Sequence, residues 1–598
     1  MTGIDGHWWR GAVLYQIYPR SFFDTNGDGI GDLKGVAAKL DHVKSLGVDG
    51  VWLSPFFKSP MRDFGYDVSD YGDVDPMFGT LDDFKALLKA AHDRGLKLII
   101  DQVWSHTSSD HAWFAESRQD RTNDKADWYV WADAKPDGAP PNNWQAWFGG
   151  PAWTWEPRRR QYFLHNFLPT QPQLNYHSDA VRAAIIDVAR FWLQLGVDGF
   201  RLDVANYYVH DALLRDNPPS GDPAPALPRN MQLHQFNSNQ PETLDFVAKI
   251  RERVDSYGDK MTVGELAPGS YVLMHDYTRG LARLHTAYSF DFLGAWPGVD
   301  KMAAILRQWG EGPEDGWPSW AFSNHDVTRV ATRWGEAIGA TAPRAAPLFM
   351  ALLMCLRGTI FLYQGEELGL PEADVPFDKL QDPWGIAGWP ATKGRDGCRT
   401  PMPWKDEVMA GFTKAKEAWL PVDARQRVLA VEKQEKLAES MLHVTRKLIA
   451  LRQGNEALQG GAFRVVYPRD VSSFGLIRIL ETKGDASELT QEALDRFVET
   501  ARNKPHTLSQ EELEARRAAI KARRELEARG EQALDAPMLV FERTAERERL
   551  LCAFNFADEQ VRHDVSDGLP SLLWAYGAVL TGNSLVIEPF GAAILKLS

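Results

Sequence analysis

The sequence predicts a parallel (β/α)8 TIM barrel with a lid subdomain inserted after the third strand. A C-terminal antiparallel β-sandwich with a helical insertion completes it. Three observations lead there. Strand-like and helical runs alternate through the first two-thirds of the chain, several strand-like runs end on acidic residues, and the pattern changes after about residue 460. Alternating runs build a parallel sheet covered by helices. Eight such units close into a barrel whose functional face lies at the C-terminal ends of the strands.

The strand-like runs are 13–18, 51–54, 97–103, 199–204, 262–266, 288–292, 320–324 and 359–363, with amphipathic stretches such as 81–94 and 179–195 between them. This places the barrel in 1–106 and 176–460. The stretch 107–175 is too long for a plain connection and rich in Trp, Pro, Gly and Asn, which makes it the lid subdomain. A second long loop, 371–430, follows the eighth strand. In 461–598 the runs 463–467, 474–479, 538–542, 550–555, 578–580 and 592–597 are short antiparallel strands. The charged stretch 481–534 interrupts them. Ser509 and Glu512 there have capping-box spacing, and Leu494, Phe497, Val498 and Ala501 follow helical periodicity. It reads as a solvated helical excursion or as a docking or dimerisation element, so the chain is expected to be a monomer or a homodimer.

With 44% hydrophobic and 25% charged residues, the chain is an ordinary globular one. No run approaches the roughly 20 apolar residues of a membrane span. The first residues, Met1 to Gly6, lack a basic region followed by an apolar core. The expectation is therefore a cytoplasmic protein without a membrane partner. Cys355, Cys398 and Cys552 are not spaced for zinc or for a disulfide framework. A net charge of −14 argues against a general affinity for nucleic acid or anionic lipid and is compatible with a neutral substrate. The 22 Trp supply aromatic faces on which sugars stack, besides serving the core.

The acidic strand ends converge on one face of the predicted barrel. The third strand brings Asp101 and then His106, the fourth Arg201 and Asp203, the fifth Glu265, and the seventh His325 and Asp326. A carboxylate at the exit of a buried strand is costly unless paired or used, and each one alone would read as a structural ion pair. Several around one mouth raise one another's pKa unless Arg and His compensate, which Arg201, His106, His325 and Arg399 can do.

The blocks Asp101 to His106, Gly199 to Val204, Gly264-Glu265 and Asn324-His325-Asp326 resemble the four signature regions of the α-amylase family of glycoside hydrolases, family thirteen. The segments Gly65 to Tyr71, Gly394 to Trp404 and Trp9 to Phe22 resemble its α-glucosidase and oligo-1,6-glucosidase branch. The resemblance covers most of the chain from Trp8 into the C-terminal sandwich, apart from the insertion.

It implies that Asp203 is the nucleophile, Glu265 the general acid/base, and Asp326 the carboxylate that binds sugar hydroxyls and stabilises the transition state. A retaining glycosidase needs its two acids about 5–5.5 Å apart. His106 and His325 resemble the family's sugar-binding histidines, and Tyr66 the ring under the terminal glucose. Asp67 and Arg399 resemble the pair that closes the pocket at the non-reducing end; Phe148 and Phe167 are candidate walls. The implied activity is a retaining, exo-acting α-glucosidase on short α-glucosides such as maltose, isomaltose or sucrose, with possible transglucosylation. Glucosyltransferase and sucrose isomerase are the nearest alternatives. A non-catalytic transporter partner or a sugar-binding protein is more remote.

The chain departs from the family pattern at two positions. Ser105 stands where Asn usually precedes the histidine, which puts the amylase-type calcium beside the lid in doubt. Gln173 replaces Asp in Gln171-Pro172-Gln173-Leu174-Asn175, while Val204 is typical of α-1,6-preferring relatives, so linkage preference stays open. The stretch 24–32 has oxygen side chains at alternate positions and Gly at the sixth, as in a calcium loop, but Gly35 stands at the twelfth position, so it is no EF-hand. By resemblance, Asp24, Asn26, Asp28, Asp32 and the Ile30 carbonyl would hold a structural Ca²⁺ or Mg²⁺. The alternative is an Asx-rich turn.

Overall fold

The first strand, β1 (Val13–Ile17), is buried at every position, as a strand covered on both faces should be. The computed structural model describes residues 6–221, 225, 227–267, 271–309, 316–468, 536–565 and 570–598. After β1 come β2 (Gly50–Leu53), β3 (Lys97–Gln102), β4 (Gly199–Leu202), β5 (Met261–Leu266), β6 (Thr286–Ser289), β7 (Ser319–Ala321) and β8 (Thr359–Tyr363). They pair in parallel in the order β6-β5-β4-β3-β2-β1-β8-β7. A parallel bridge between Ala287 and Pro318 joins the two ends, so the sheet closes into a barrel.

Local chemistry sets the helices between the strands. Helix α1 (Leu81–Asp93) starts with a Thr80–Asp83 capping box and buries Phe84, Leu87, Leu88 and Ala91. Helix α2 (Asp179–Leu195) stops at Gly196, whose φ of 106° suits glycine. At Gly199 (φ 152°) a Cβ would lie 2.1 Å from the Met261 carbonyl oxygen, so only glycine lets β4 approach β5 this closely.

Two strands end three residues before the sequence reading. The sixth run, 288–292, is strand only through Ser289. Leu293 and Gly294 then donate back to the Phe290 carbonyl and turn the chain. The seventh, 320–324, ends at Ala321. There the Ser323 hydroxyl accepts from Val330 N and the Asn324 side chain from Asp326 N, so side chains replace the ladder.

Above β3 the chain forms a three-stranded antiparallel sheet of Trp131–Ala132, Gln161–Leu164 and Trp153–Glu156, with its own core around Trp144, Trp153 and Leu164. A bridge from His106 to Gln173 ties it to the barrel mouth.

The C-terminal strands are β9 (Ala462–Tyr467), β10 (Met538–Ala545), β11 (Glu548–Asn555), β12 (Val561–Asp564), β13 (Pro570–Thr581) and β14 (Ser584–Leu597). They form the expected C-terminal antiparallel sheet domain, with order β9-β10-β11-β14-β12 and β13 paired to β14 among the described residues. Both of its faces are buried. Phe541, Cys552, Phe554 and Ile594 join the barrel's core, while Val540, Leu551, Ala553 and Leu595 build a second cluster on the other face. The run 578–580 is the end of the longer β13. The expected strand 474–479 and insertion 481–534 lie outside the described residues. Among the described residues no single helix is long and apolar enough to cross a membrane.

Candidate active site

The parallel register brings the acidic strand ends together. Asp101 on β3 lies opposite Arg201 on β4, and Glu265 on β5 opposite Tyr288 on β6. Arg201 is fully buried. Its Nη1 donates to Asp101 at 2.8 Å and to Asp203 at 2.7 Å, and its Nη2 lies 2.5 Å from Glu265. Two arms of one planar guanidinium therefore hold Asp203 and Glu265, which keeps their contacting oxygens within roughly 7.5 Å of each other. Val204 N also donates to Glu265, at 3.2 Å. Val204 takes a left-handed φ of 35°, a strained conformation for a β-branched residue and one that turns the chain directly after Asp203.

These groups face a cavity of about 320 Å³. Of the residues singled out from the sequence, Tyr66, His106, Phe148, Phe167, Asp203, Val204, Glu265 and Asp326 line it. Arg201 and His325 stand behind this lining. His325 is stacked on the Tyr66 ring (centroids 5.2 Å apart), meets the Tyr66 hydroxyl at 2.5 Å and faces Gln16 at 2.8 Å. His106 faces the Tyr66 carbonyl at 2.9 Å and the Ser105 hydroxyl at 2.8 Å.

The expected pair Asp67 and Arg399 does not line the cavity. Asp67 turns back into its own loop, accepting from Ser59 Oγ (2.8 Å), Arg62 N (3.0 Å) and Asp63 N (3.1 Å). Arg399 is buried behind Asp326, donating to it at 2.7 Å and to the His325 carbonyl at 2.6 Å. In their place Asp63 and Arg395, paired at 2.8 Å, line the cavity. Positive φ at Phe64 (53°) and Gly65 (103°) puts Asp63 and Tyr66 on the cavity and rotates Asp67 away from it. Sequence reasoning also missed Trp147, Arg229, Phe290 and Trp384 on the rim. Only the Trp content of the long loops hinted at two of these. Gln173 is buried beside the pocket, where it donates to the Tyr207 carbonyl at 2.8 Å.

Burial pushes Asp203 up from the usual carboxylate range, and the Glu265 and Asp101 charges add to this against the pull of Arg201. Burial likewise raises Glu265; Arg201 opposes it and the Asp326 charge supports it. Asp326 behaves differently. Burial disfavours its charge, but His325, Arg399 and Arg395 outweigh that and hold it well below the usual range.

Burial lowers His106 to about 4 and His325 to about 3, so both rings are neutral at physiological pH. Burial does the same at His111, His165 and His285 (about 4) and at His210 (about 3). Unfolded histidine titrates near 6.5. The stability these six groups contribute is therefore complete above about pH 6.5 and is lost as pH falls from there toward 4. Burial raises Asp67 to about 6, Glu372 to about 7 and Glu366 to about 8. Those three work the other way, losing stability as pH rises through that window, and burial acts in the same direction at Asp49, Asp63, Asp101, Asp203, Glu265 and Asp396. The histidines are therefore tested ring by ring: each of the six is expected to stay neutral in the folded protein at about pH 5.5, as read from ring NMR shifts. A ring that titrates near 6.5 in the folded protein would contradict the neutral-histidine assignment.

The 24–32 loop closes on itself. Asp24 accepts from Gly27 N (2.7 Å), Gly29 N (2.9 Å) and the Thr413 hydroxyl. Asp32 caps the following helix at Gly35 N and accepts from Thr25 N. Asn26 accepts from Asp28 N, and Asp28 from Ile30 N. Among the described residues no group of three or more His, Cys, Asp or Glu is arranged to hold a metal ion. The loop's hydrogen bonds form an Asx-rich turn, with the oxygen side chains of Asp24, Asn26, Asp28 and Asp32 gathered in one short loop.

Two buried acids on one arginine, above a pocket with a charged floor and an aromatic rim at the end of a β/α barrel, define an enzyme of the glycoside-processing class. The chain belongs to the α-amylase family, whose catalytic domain matches residues 16–461. It is 51% identical over 487 residues to a probable alpha-glucosidase of Rhizobium meliloti (strain 1021), covering 79% of this chain and 87% of that one. It is 38% identical over 498 residues to an oligo-1,6-glucosidase of Heyndrickxia coagulans, covering 77% and 88%. Among solved structures, the alpha-glucosyl transfer enzyme XgtA superposes with a TM-score of 0.84 at 44% identity, covering 99% of this chain and 100% of that one. The trehalulose synthase MutB from Pseudomonas mesoacidophila MX-45 superposes with 0.81 at 27%, covering 99% of both chains.

Proposed function

We propose that the protein is a retaining, exo-acting α-glucosidase that removes terminal glucosyl units from short α-glucosides such as maltose, isomaltose or sucrose. The observation that carries this reading is the shared Arg201 clamp on Asp203 and Glu265 at the pocket floor. The two buried acids titrate as a pair holding one proton, which this reading places on Glu265; Asp203, ionised against Nη1, attacks the anomeric carbon. Glu265, raised by burial, gives its proton to the departing oxygen as the glycosidic bond breaks. Water then enters, Glu265 takes back a proton, and the bond to Asp203 breaks. Asp326, held ionised, accepts from sugar hydroxyls. Asp63 and Arg395 bind the closed end, which favours removal of single units.

The relatives named alpha-glucosidase and oligo-1,6-glucosidase support the reaction class. The similarity to a glucosyl transfer enzyme and a trehalulose synthase supports transglucosylation as a second outcome of the same covalent intermediate. The aromatic rim favours it too, since a sugar acceptor can stack where water would otherwise enter. Three buried free thiols fit a reducing compartment, in line with a cytoplasmic location as monomer or homodimer.

A panel of α-linked glucose disaccharides and sucrose, with products separated by chromatography, tests the reading. Glucose release from at least one α-linked disaccharide, with the α-anomer appearing first, is expected. Absence of glucose release across the panel, or first appearance of the β-anomer, defeats it.

A further inference from the structure

Four arginines stand at or behind the pocket, and they differ in one respect. Arg201 faces Asp101, Asp203 and Glu265; Arg395 faces Asp63, Asp382 and Asp326; Arg399 faces Asp326. Arg229 lines the same cavity but makes no ion pair with any described residue. Its Nη1 donates to the Trp147 carbonyl at 2.6 Å. Its guanidinium sits 4.1 Å from the Trp147 ring centroid and 5.6 Å from that of Trp384. The long loops after β3, β4 and β8 therefore meet at one cation. Burial lowers Arg229 to about 10, so it is charged at neutral pH.

Its place is on the leaving-group side. Trp147 donates its indole N–H to the Tyr207 hydroxyl at 2.8 Å. Tyr207 packs with Val204 and Ala267, against which Trp147, Phe167 and Phe290 lie. Val204 N in turn bonds Glu265, the group that meets the departing oxygen. A chain of contacts thus runs from the proton donor to Arg229.

A desolvated cation is costly without a counter-charge. Two aromatic faces offset part of that cost, but among the described residues the outer N–H groups of the fork have no partner. A planar fork with free donors matches a carboxylate or a phosphate in both charge and shape. We propose that Arg229 is a specificity-determining residue that binds an anionic substituent, carboxylate or phosphate, on the leaving group or on the acceptor of a transfer reaction. The inference rests on the α-glucosidase reading and names the substrate class of its leaving-group side.

The test compares para-carboxyphenyl with para-carbamoylphenyl α-glucoside, which share a shape and differ in charge. The wild-type enzyme is expected to favour the carboxylate by about tenfold in kcat/KM at low ionic strength. The preference should shrink as salt is added. Arg229→Gln should abolish the preference, and Arg229→Lys should retain part of it. Transfer from α-glucosyl fluoride to glucuronate, glucose 6-phosphate and glucose, scored separately, shows which anion the site prefers, both being expected above glucose. Equal hydrolysis of the two aryl glucosides by the wild type overturns the inference and leaves the α-glucosidase reading standing. Hydrolysis of neither overturns both. A Lys variant that loses the preference as completely as the Gln variant assigns the effect to the aromatic stack and also overturns it. Trp384→Ala checks the stack independently of any folding defect at Arg229. It keeps a carboxylate preference if charge is the cause, and a lost preference counts against it.

Discussion

Asp203→Asn is expected to lower kcat on an activated aryl α-glucoside by about 10⁴-fold or more, with the fold retained. The amide is nearly isosteric with the carboxylate and can still meet Arg201, so the geometry around Asp101 and Glu265 persists. What disappears is a nucleophile that forms a bond to the anomeric carbon. Two readouts separate this from mere damage. The thermal midpoint should stay within a few degrees of the wild type. A slow fluorinated glucoside should add the mass of one sugar to the wild-type protein and none to the Asn variant. Near-normal turnover in the Asn variant, or a trapped sugar mapped to another side chain, would remove Asp203 from its role.

Arg201→Met should be the most destabilising single change at the site. The arginine is fully buried and contacts three carboxylates, so removing it strands Asp101, Asp203 and Glu265 together without a cation. Breaking a buried pair by removing one partner costs about 3–5 kcal/mol. A denaturant midpoint well below that of the wild type, with activity lost even where the protein is folded, is the expected result. Arg201→Lys should fall between the two, since an ammonium keeps the charge but cannot span two acids as a fork does. An unchanged midpoint for the Met variant would show that the clamp is not what holds the carboxyls in place.

How much was legible in advance depended on how local the cause was. The strand 359–363 and the helix 179–195 were readable to the residue, because an unbroken apolar run and a 3.6-residue stripe ending at Gly196 are properties of the segment itself. Asp203, Glu265 and Asp326 were readable as a group, because each ends or follows a buried strand in a recognisable block. The ends of the sixth and seventh strands were not readable, since turns at Phe290 and Ser323 depend on hydrogen bonds that form only once the neighbouring strands are in register. The C-terminal sheet shows the same limit. Alternating residues mark two faces but do not say that the barrel covers one of them.

Period and position alone marked acids at the exits of buried strands; the chemistry was legible through the resemblance of those blocks to the α-amylase signature regions. Which acid–arginine pair lines the cavity, Asp63 with Arg395 and not Asp67 with Arg399, was decided by folding. Side-chain direction there hangs on two left-handed residues; glycine permits that backbone at 65, but no local propensity announces it at Phe64. The rim belongs to folding as well. Trp147, Arg229 and Trp384 come from three loops far apart in sequence, and a contact between distant loops exists only after the barrel has brought their ends to one mouth.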